Sequence, residues 1–241
     1  MIVCIPSKAR PNTKAYKIFE EAGYEVFHFL EPQDYDRYQV KNKVSIEKDN
    51  QGITYVRNFM LDWCKENNVR TCWFSDDDIQ AFGIFDKKTI KKDANILKEI
   101  EAVAEKLPFE IFGMNYTQYA WTEKKKYSVN SKWCEVCVLM KVDKISWRYR
   151  ENTKEDRDFQ MQTIQNGYGV LRFNKHWFSC PSIGTNEGGL HDWYAEGNDA
   201  EAAKKMALQW SPWIKAVQKK DRLDVKADIK GFAKSCGREV R

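Results

Sequence analysis

The chain opens on an unbroken apolar run, Met1 to Ile5, stopped by Pro6-Ser7, which fits a buried strand that hands over to a loop. Tyr16, Phe19 and Ala22 recur at helical spacing after Asn12 or Thr13 as cap, with Gly23 as the stop. Tyr24 to Leu30 then alternates around Val26, His28 and Leu30 until Glu31-Pro32 ends it. These three segments predict a β-α-β opening. Residues 33 to 51 are polar and irregular and read as a loop with one short strand near Val44. Ile53 to Asn67 carries Val56, Met60, Leu61 and Cys64 on one helical stripe, and Thr71 to Phe74 follows as a strand.

Farther along, Lys88 to Lys106 predicts a helix stopped by Pro108, and Phe109 to Asn115 and Trp133 to Val142 predict strands. Trp121 to Ser131 between them is a polar, Lys-rich hairpin or loop. Glu155 to Gln165 reads as a helix closed by Asn166-Gly167, and Gly169 to Phe173 as a strand. Asn198-Asp199 can cap an Ala-rich helix to Trp210, Ser211-Pro212 restarts a short helix, and Leu223 to Ile229 alternates as a closing strand. Helix and strand alternate throughout, so the expected class is α/β: a Rossmann-type sandwich with a mostly parallel central sheet flanked by helices. Neither an internal repeat nor a low-complexity linker interrupts it, so residues 1–241 are expected to form a single domain.

Such sheets bind ligands at the carboxyl ends of their strands. Thr71 to Phe74 delivers Ser75 and then three adjacent carboxylates, Asp76, Asp77 and Asp78, to one such end. Three neighbouring acids repel one another, so a cation is expected beside them. If the strand period of two persists, Asp76 and Asp78 share a side and Asp77 faces the other. Two converging carboxylates suit a hard divalent ion whose shell is completed by phosphate oxygens.

Composition narrows the classes. Aromatic residues at 14% and charged residues at 31% belong to a folded globular chain. The formal net charge of +5 permits a polyanionic partner without requiring one, and 40 basic against 35 acidic residues argues against a noncatalytic nucleic-acid-binding module. A two-metal nuclease would need a second ligand cluster, and three scattered histidines do not supply it. Gly-x-Gly-x-x-Gly and Walker loops are absent, which argues against dehydrogenases and P-loop kinases. Seven cysteines are an odd count, and Cys134 and Cys137, three apart on an expected strand, face opposite ways; reduced, buried thiols are expected. The first apolar run is too short for a signal segment and none approaches the ~20 residues that span a bilayer, so the expectation is a soluble, cytoplasmic protein without a membrane partner, monomeric or weakly oligomeric.

Several motifs occur in a telling order: Ile5-Pro6-Ser7-Lys8, Gly52-Ile53-Thr54-Tyr55-Val56-Arg57-Asn58, Asp76-Asp77-Asp78, Glu155-Asp156-Arg157-Asp158-Phe159 and Gly184-Thr185-Asn186-Glu187-Gly188-Gly189. In that order, over about residues 1 to 230, the chain resembles the GT-A glycosyltransferases and, within them, the TET-associated glycosyltransferase family of bacteriophages and some eukaryotic proteins. The resemblance implies a GT-A-like fold with a nucleotide-sugar-binding half over 1–115 and an acceptor-binding half with C-terminal elements over 116–241. For a phage-encoded chain it implies the cytoplasm of an infected bacterial host.

Its further implications fall on single residues. Asp76 and Asp78 match the ends of the Asp-x-Asp motif that holds Mn²⁺ or Mg²⁺ against the diphosphate of a nucleotide sugar, here a UDP-sugar, with Asp77 between them at the donor. Pro6, Ser7, Lys8 and Arg10 match the loop that receives nucleobase and ribose, and Arg57 and Asn58 the segment that helps hold the nucleotide, where a guanidinium suits phosphate. Asp156, with Glu155 as alternative, matches the acidic pair from which inverting enzymes take their catalytic base. Acids there also complement a helix dipole. His191 is the implied further metal ligand, with His176 in reserve.

Phage members act on hydroxymethylated pyrimidines, so the implied acceptor is DNA carrying 5-hydroxymethylcytosine, taken from a single strand or flipped from a duplex. The same chemistry on a protein or glycan is the alternative. Tyr119, Trp121, Trp147, Tyr149, Trp193 and Tyr194 lie near Lys124, Lys125, Lys126, Arg148 and Arg150, a mixture suited to a nucleic-acid groove, although most aromatics are expected in the core. Lys87, Lys88, Lys91, Lys92, Lys219, Lys220 and Arg222 form further basic clusters.

Overall fold

The opening apolar run becomes β1 (Ile2–Ser7), five of whose six residues are buried. In the computed structural model, which describes residues 1–86, 89–182, 188–189, 191–220 and 222–241, β1, helix α1 (Ala15–Glu21) and β2 (Glu25–Leu30) form the expected unit with β1 and β2 parallel. Thr13 does not cap α1 as a helix N-cap does; Lys14 holds that position. After a 3₁₀ turn, β3 (Asn42–Ser45) extends the parallel edge, as the short strand near Val44 predicted. Helix α2 (Gly52–Glu66) buries Val56, Met60, Leu61 and Cys64, the expected stripe, and leads into β4 (Thr71–Ser75), parallel to β1.

The region expected to be helical from Lys88 differs. β5 (Ala81–Asp86) and β6 (Thr89–Lys92) form an antiparallel hairpin, and helix α3 spans only Ile96–Ala104; Lys87 and Lys88 lie outside the described residues. All four β6 residues are exposed, so this edge strand has no apolar face to print a period of two, and its lysines look like a helix surface. β7 (Ile111–Tyr116) follows, then a single helical turn α4 (Thr117–Ala120), β8 (Tyr127–Val129), β9 (Cys137–Lys141), helix α5 (Glu155–Gln165) and β10 (Val170–Ser179). The chain then forms α6 (His191–Ala195), α7 (Asn198–Gln209), a hairpin of β11 (Ile214–Lys219) and β12 (Arg222–Ala227), and α8 (Ile229–Ser235). The short helix expected from Ser211-Pro212 is instead a turn into β11, whose mostly exposed residues gave no apolar alternation.

The main sheet has the order β3-β2-β1-β4-β9-β7-β10-β5-β6, with β8 beside β10. Among the described residues, four of its pairings are parallel and five antiparallel, so the sheet is partly parallel where a mostly parallel one was expected. The change comes at β9, which lies antiparallel between β4 and β7, and at the β5–β6 hairpin. A strand of the second half thus sits inside the first, so one sheet runs through both. Helices cover both faces: Met60, Leu61, Phe159, Met161, Met206 and Phe232 belong to one core, and Phe19, Phe82, Ile96, Leu97 and Ile100 to the other. All seven cysteines are free thiols; Cys134 and Cys137 are buried, with Cys134 just before β9 rather than on it. Among the described residues no helix is long and apolar enough to cross a membrane.

Candidate active site

β1, β4, β7 and β10 end on the same side, and the loops that leave them wall a cavity of about 450 Å³. That volume suits a ligand the size of a nucleotide. β4 stops at Ser75, so Asp76, Asp77 and Asp78 lie on a turn and all three line the cavity. The alternation expected of them does not hold, because the strand has already ended.

Each aspartate has its own environment. Asp77 is buried; its carboxylate accepts from the Ser7 hydroxyl and lies 2.6 Å from Nη1 of Arg10, while its carbonyl accepts from Thr13. Thr13 therefore ties the β1–α1 loop to the acidic turn. Asp78 lies 3.7 Å from Nη1 of Arg10. Asp76 faces the other way: its Oδ1 is 2.9 Å from Nη2 of Arg57, and its backbone N–H donates to Val136 at 2.9 Å. Val136 adopts a φ of 67°, a costly conformation for a β-branched residue, and the bend brings Glu135 to the cavity wall.

Arg57 joins two sides of the cavity. Buried on α2, it donates from Nη1 to Glu155 at 3.0 Å and to Asp156, both at the N-terminal end of α5, while Nη2 holds Asp76. Burial opposes its charge, but Asp156, Asp76 and Glu155 outweigh that and hold the guanidinium above its ordinary value. The acids stay less than fully compensated. Burial pushes Asp76 up to about 7 against the pull of Arg57, with Asp78, Asp77 and Glu155 adding to the rise. Burial and the neighbouring Asp156 lift Glu155 to about 7, and burial lifts Asp156 to about 6. Asp76 and Asp156 still present 34% and 25% of their side chains to the cavity, so solvent or ligand can reach them.

Among the described residues, seven acids and five lysines or arginines line the cavity, an excess of two negative charges. Asp76 and Asp78 both set carboxylate oxygens on the cavity wall, and such hard donors are the kind that Mg²⁺ or Mn²⁺ takes. Pro6, Phe29, Ile46, Ile53 and Val56 give the cavity an apolar wall. Beside it Lys8 donates to Asn50 at 2.6 Å and pairs with the buried Glu31 at 3.2 Å, and Glu31 accepts from the Asn50 N–H at 3.0 Å. Gly189 closes the rim: its N–H donates to the Lys8 carbonyl at 3.0 Å, and a Cβ added there would stand 3.0 Å from Nη2 of Arg10. With a φ of 58° as well, that position requires glycine.

A family model described as TET-Associated Glycosyltransferase matches residues 1–189. The chain belongs to this family. It is therefore an enzyme of sugar transfer, and the match stops before α6, short of the 230 residues over which the motifs suggested it. Two solved structures are similar in part. "Crystal Structure of A197 from STIV" shares 14% identity, with 75% of this chain and 84% of that chain covered and a TM-score of 0.46. CMP:2-keto-3-deoxy-manno-octonic acid synthetase complexed with CTP shares 10% identity, with 71% and 88% covered and a TM-score of 0.45. No curated protein sequence matches the chain significantly.

Pro6, Ser7, Lys8, Arg10, Arg57, Asp76, Asp77, Asp78, Glu155, Asp156 and His191, all expected at the site of this glycosyltransferase, line the one cavity. Asn58 does not. Its amide donates to the Tyr149 carbonyl at 3.0 Å and accepts the Tyr149 N–H at 2.9 Å, so one residue beyond the fork it braces the chain ahead of α5. His176, the reserve ligand, lies on β10 with Nε2 2.9 Å from Glu99 on α3, outside the cavity. Trp147 and Tyr149, expected near an acceptor, are buried, and Tyr149 stacks on Phe159 with ring centroids 4.0 Å apart. Arg148 pairs with Asp62 and Arg150 with Asp158 instead of lining a groove. Trp193 and Tyr194 do face the cavity, and Gly184, Thr185, Asn186 and Glu187 of the glycine-rich motif lie outside the described residues. Glu31, Tyr116 and Glu135 line the cavity without having been expected there; of the three, Glu31, an acid that ends an apolar strand before Pro32, carries a signal in the sequence.

Proposed function

We propose that this glycosyltransferase moves a sugar from a nucleoside diphosphate donor, a UDP-sugar, to the hydroxymethyl group of a modified pyrimidine in DNA, with inversion at the anomeric carbon. The observation that carries this reading is the fork of Arg57, which sets the donor-side Asp76 and the acceptor-side Asp156 on either flank of one cavity. The base and ribose lie against the apolar wall near Pro6 and Phe29, with Ser7 and Lys8 at the polar edge. Arg10 and Arg57 turn toward the diphosphate, exchanging carboxylate partners for phosphate oxygens. Asp76 and Asp78 would hold Mn²⁺ or Mg²⁺, with His191 as the added ligand, and when bound that ion supplies neutralising charge to the diphosphate.

Asp156 accepts the proton of the acceptor hydroxyl as its oxygen forms a bond to the anomeric carbon from the face opposite the donor. The bond from that carbon to the diphosphate oxygen breaks, and its electron pair leaves with the nucleoside diphosphate. Glu155, also on Arg57, is the alternative base. Tyr116, Trp193 and Tyr194 give the acceptor half aromatic walls on which an unpaired base can stack.

The test is incubation with hydroxymethylated oligonucleotides, Mn²⁺ and a panel of nucleotide sugars, followed by mass spectrometry of the released nucleosides. A glycosylated hydroxymethyl nucleoside is expected. Transfer to proteins or glycans with no change in any oligonucleotide would contradict the DNA acceptor.

A further inference from the structure

Among the described residues, few large side chains are left in solvent, and three of them cluster in one stretch of chain: Tyr119 is 55% exposed, Trp121 59% and Tyr127 43%. The stretch begins where the cavity ends. Tyr116 lines the cavity, its ring lies 6.3 Å edge-on from that of Tyr119, and Thr117 Oγ1 donates to the Phe178 carbonyl at 2.8 Å. That bond pins α4 to the end of β10, two residues before the cavity-lining Cys180.

The loop is fixed while its tips are left outward. Fully buried Asn174 donates to the Lys125 carbonyl at 3.2 Å and, through its backbone N–H, to the Lys126 carbonyl at 2.8 Å. The Trp121 indole donates to the Gln118 carbonyl at 2.9 Å, which sets the ring's orientation. Lys124, Lys125 and Lys126 are exposed. The nearest acid in sequence, Glu123, is committed to Arg172 at 2.6 Å and Lys132 at 3.4 Å, so it does not neutralise them. A core or solubility role explains lysines in such a loop; it does not explain leaving a tryptophan and two tyrosines uncovered beside them.

We propose that residues 117–127 are the docking track for the DNA strand on either side of the modified base, with the backbone phosphates on Lys124, Lys125 and Lys126 and unpaired neighbouring bases stacked on Tyr119 and Trp121. The inference rests on the DNA acceptor proposed above and deepens it. Exposed rings beside a row of cations match single-stranded or locally unpaired DNA, since stacking needs bases out of the duplex. A duplex held only by its phosphates would leave the rings without a role.

The experiment measures binding of a fluorescent single-stranded oligonucleotide by anisotropy across a salt series, and transfer kinetics on the hydroxymethylated form. It compares the wild type with Trp121→Ala and with a triple Lys124→Ala, Lys125→Ala, Lys126→Ala variant. The triple variant should weaken binding by ~10-fold or more at low salt and flatten the log–log salt dependence by roughly 2, at about 0.7 per lost phosphate contact. Trp121→Ala should weaken it about 5- to 100-fold with the salt slope kept. In both, KM for the oligonucleotide rises while kcat and the melting temperature hold. Wild-type DNA transfer matched by the variants in KM and salt slope overturns the track alone. A wild type that neither binds nor modifies any oligonucleotide overturns the acceptor reading and the track together.

Discussion

Nη2 of Arg57 lies 2.9 Å from Oδ1 of Asp76, and this pair joins the end of β4 to a helix whose other contacts reach α5. Among the described residues, Arg57 bonds both to the acidic turn and to the Glu155-Asp156 pair. Its removal leaves three carboxylates facing one another across the cavity. Arg57→Lys keeps a charge but loses the fork, so kcat/KM should fall by about 10- to 100-fold.

The same residue sets the acidity of the base. A general base works deprotonated, so kcat/KM should rise as pH climbs through the value of Asp156, which burial places at about 6. Arg57 pulls that value down, so Arg57→Ala should move the rise to higher pH in the residual activity. A pH–rate profile of both proteins checks the sign. An inflection that stays in place, or moves down, contradicts the assignment of Asp156. Asp156→Asn should lower kcat by ~10²-fold or more with donor affinity kept.

Asp76 and Asp77 should differ when substituted. Asp76 shows a third of its side chain to the cavity, so Asp76→Asn should abolish transfer with little change in melting temperature. Asp77 is buried and holds Ser7 and Arg10, so Asp77→Ala takes away the acceptor of the Ser7 hydroxyl and the nearer carboxylate of Arg10 and should cost about 1–3 kcal/mol of stability. Denaturant melts beside activity assays separate the two. Equal melts would remove the structural role given to Asp77.

His28 offers a test of the fold apart from the chemistry. It is 1% exposed on β2, with the Tyr16 ring edge-on at 5.1 Å, and burial pushes it down from 6.5 to about 4. Between those values the unfolded chain binds a proton that the folded chain refuses. Stability should therefore fall as pH drops from about 6.5 to about 4, by ~3 kcal/mol at the low end. His28→Phe should flatten that part of the stability curve in urea melts. An unchanged curve would show that His28 does not drive it.

What the chain displayed openly were segments whose burial prints a period. β1, α2 and β4 were legible because Val3 to Ile5, Val56, Met60, Leu61 and Cys72 to Phe74 are all core residues. β6 and β11 were not, because exposed strands carry no apolar alternation, and their lysines resemble a helix surface. At the site, the aspartates and Arg57 stood out through motif order. Glu135 did not, since it reaches the cavity only through the left-handed bend at Val136, which nothing in a valine announces. Asn58 was misplaced by its neighbour: one residue along a helix turns a side chain through about 100°, from the cavity to the Tyr149 backbone.

The most direct measurement is calorimetric titration of uridine diphosphate into the protein, with Mn²⁺ and with chelator, for the wild type and Asp76→Asn. The account predicts binding that needs Mn²⁺ and is lost in Asp76→Asn while Lys124→Ala retains it. Equal affinity in chelator, or a variant that binds as the wild type does, would contradict a cation held by these aspartates against the donor's diphosphate.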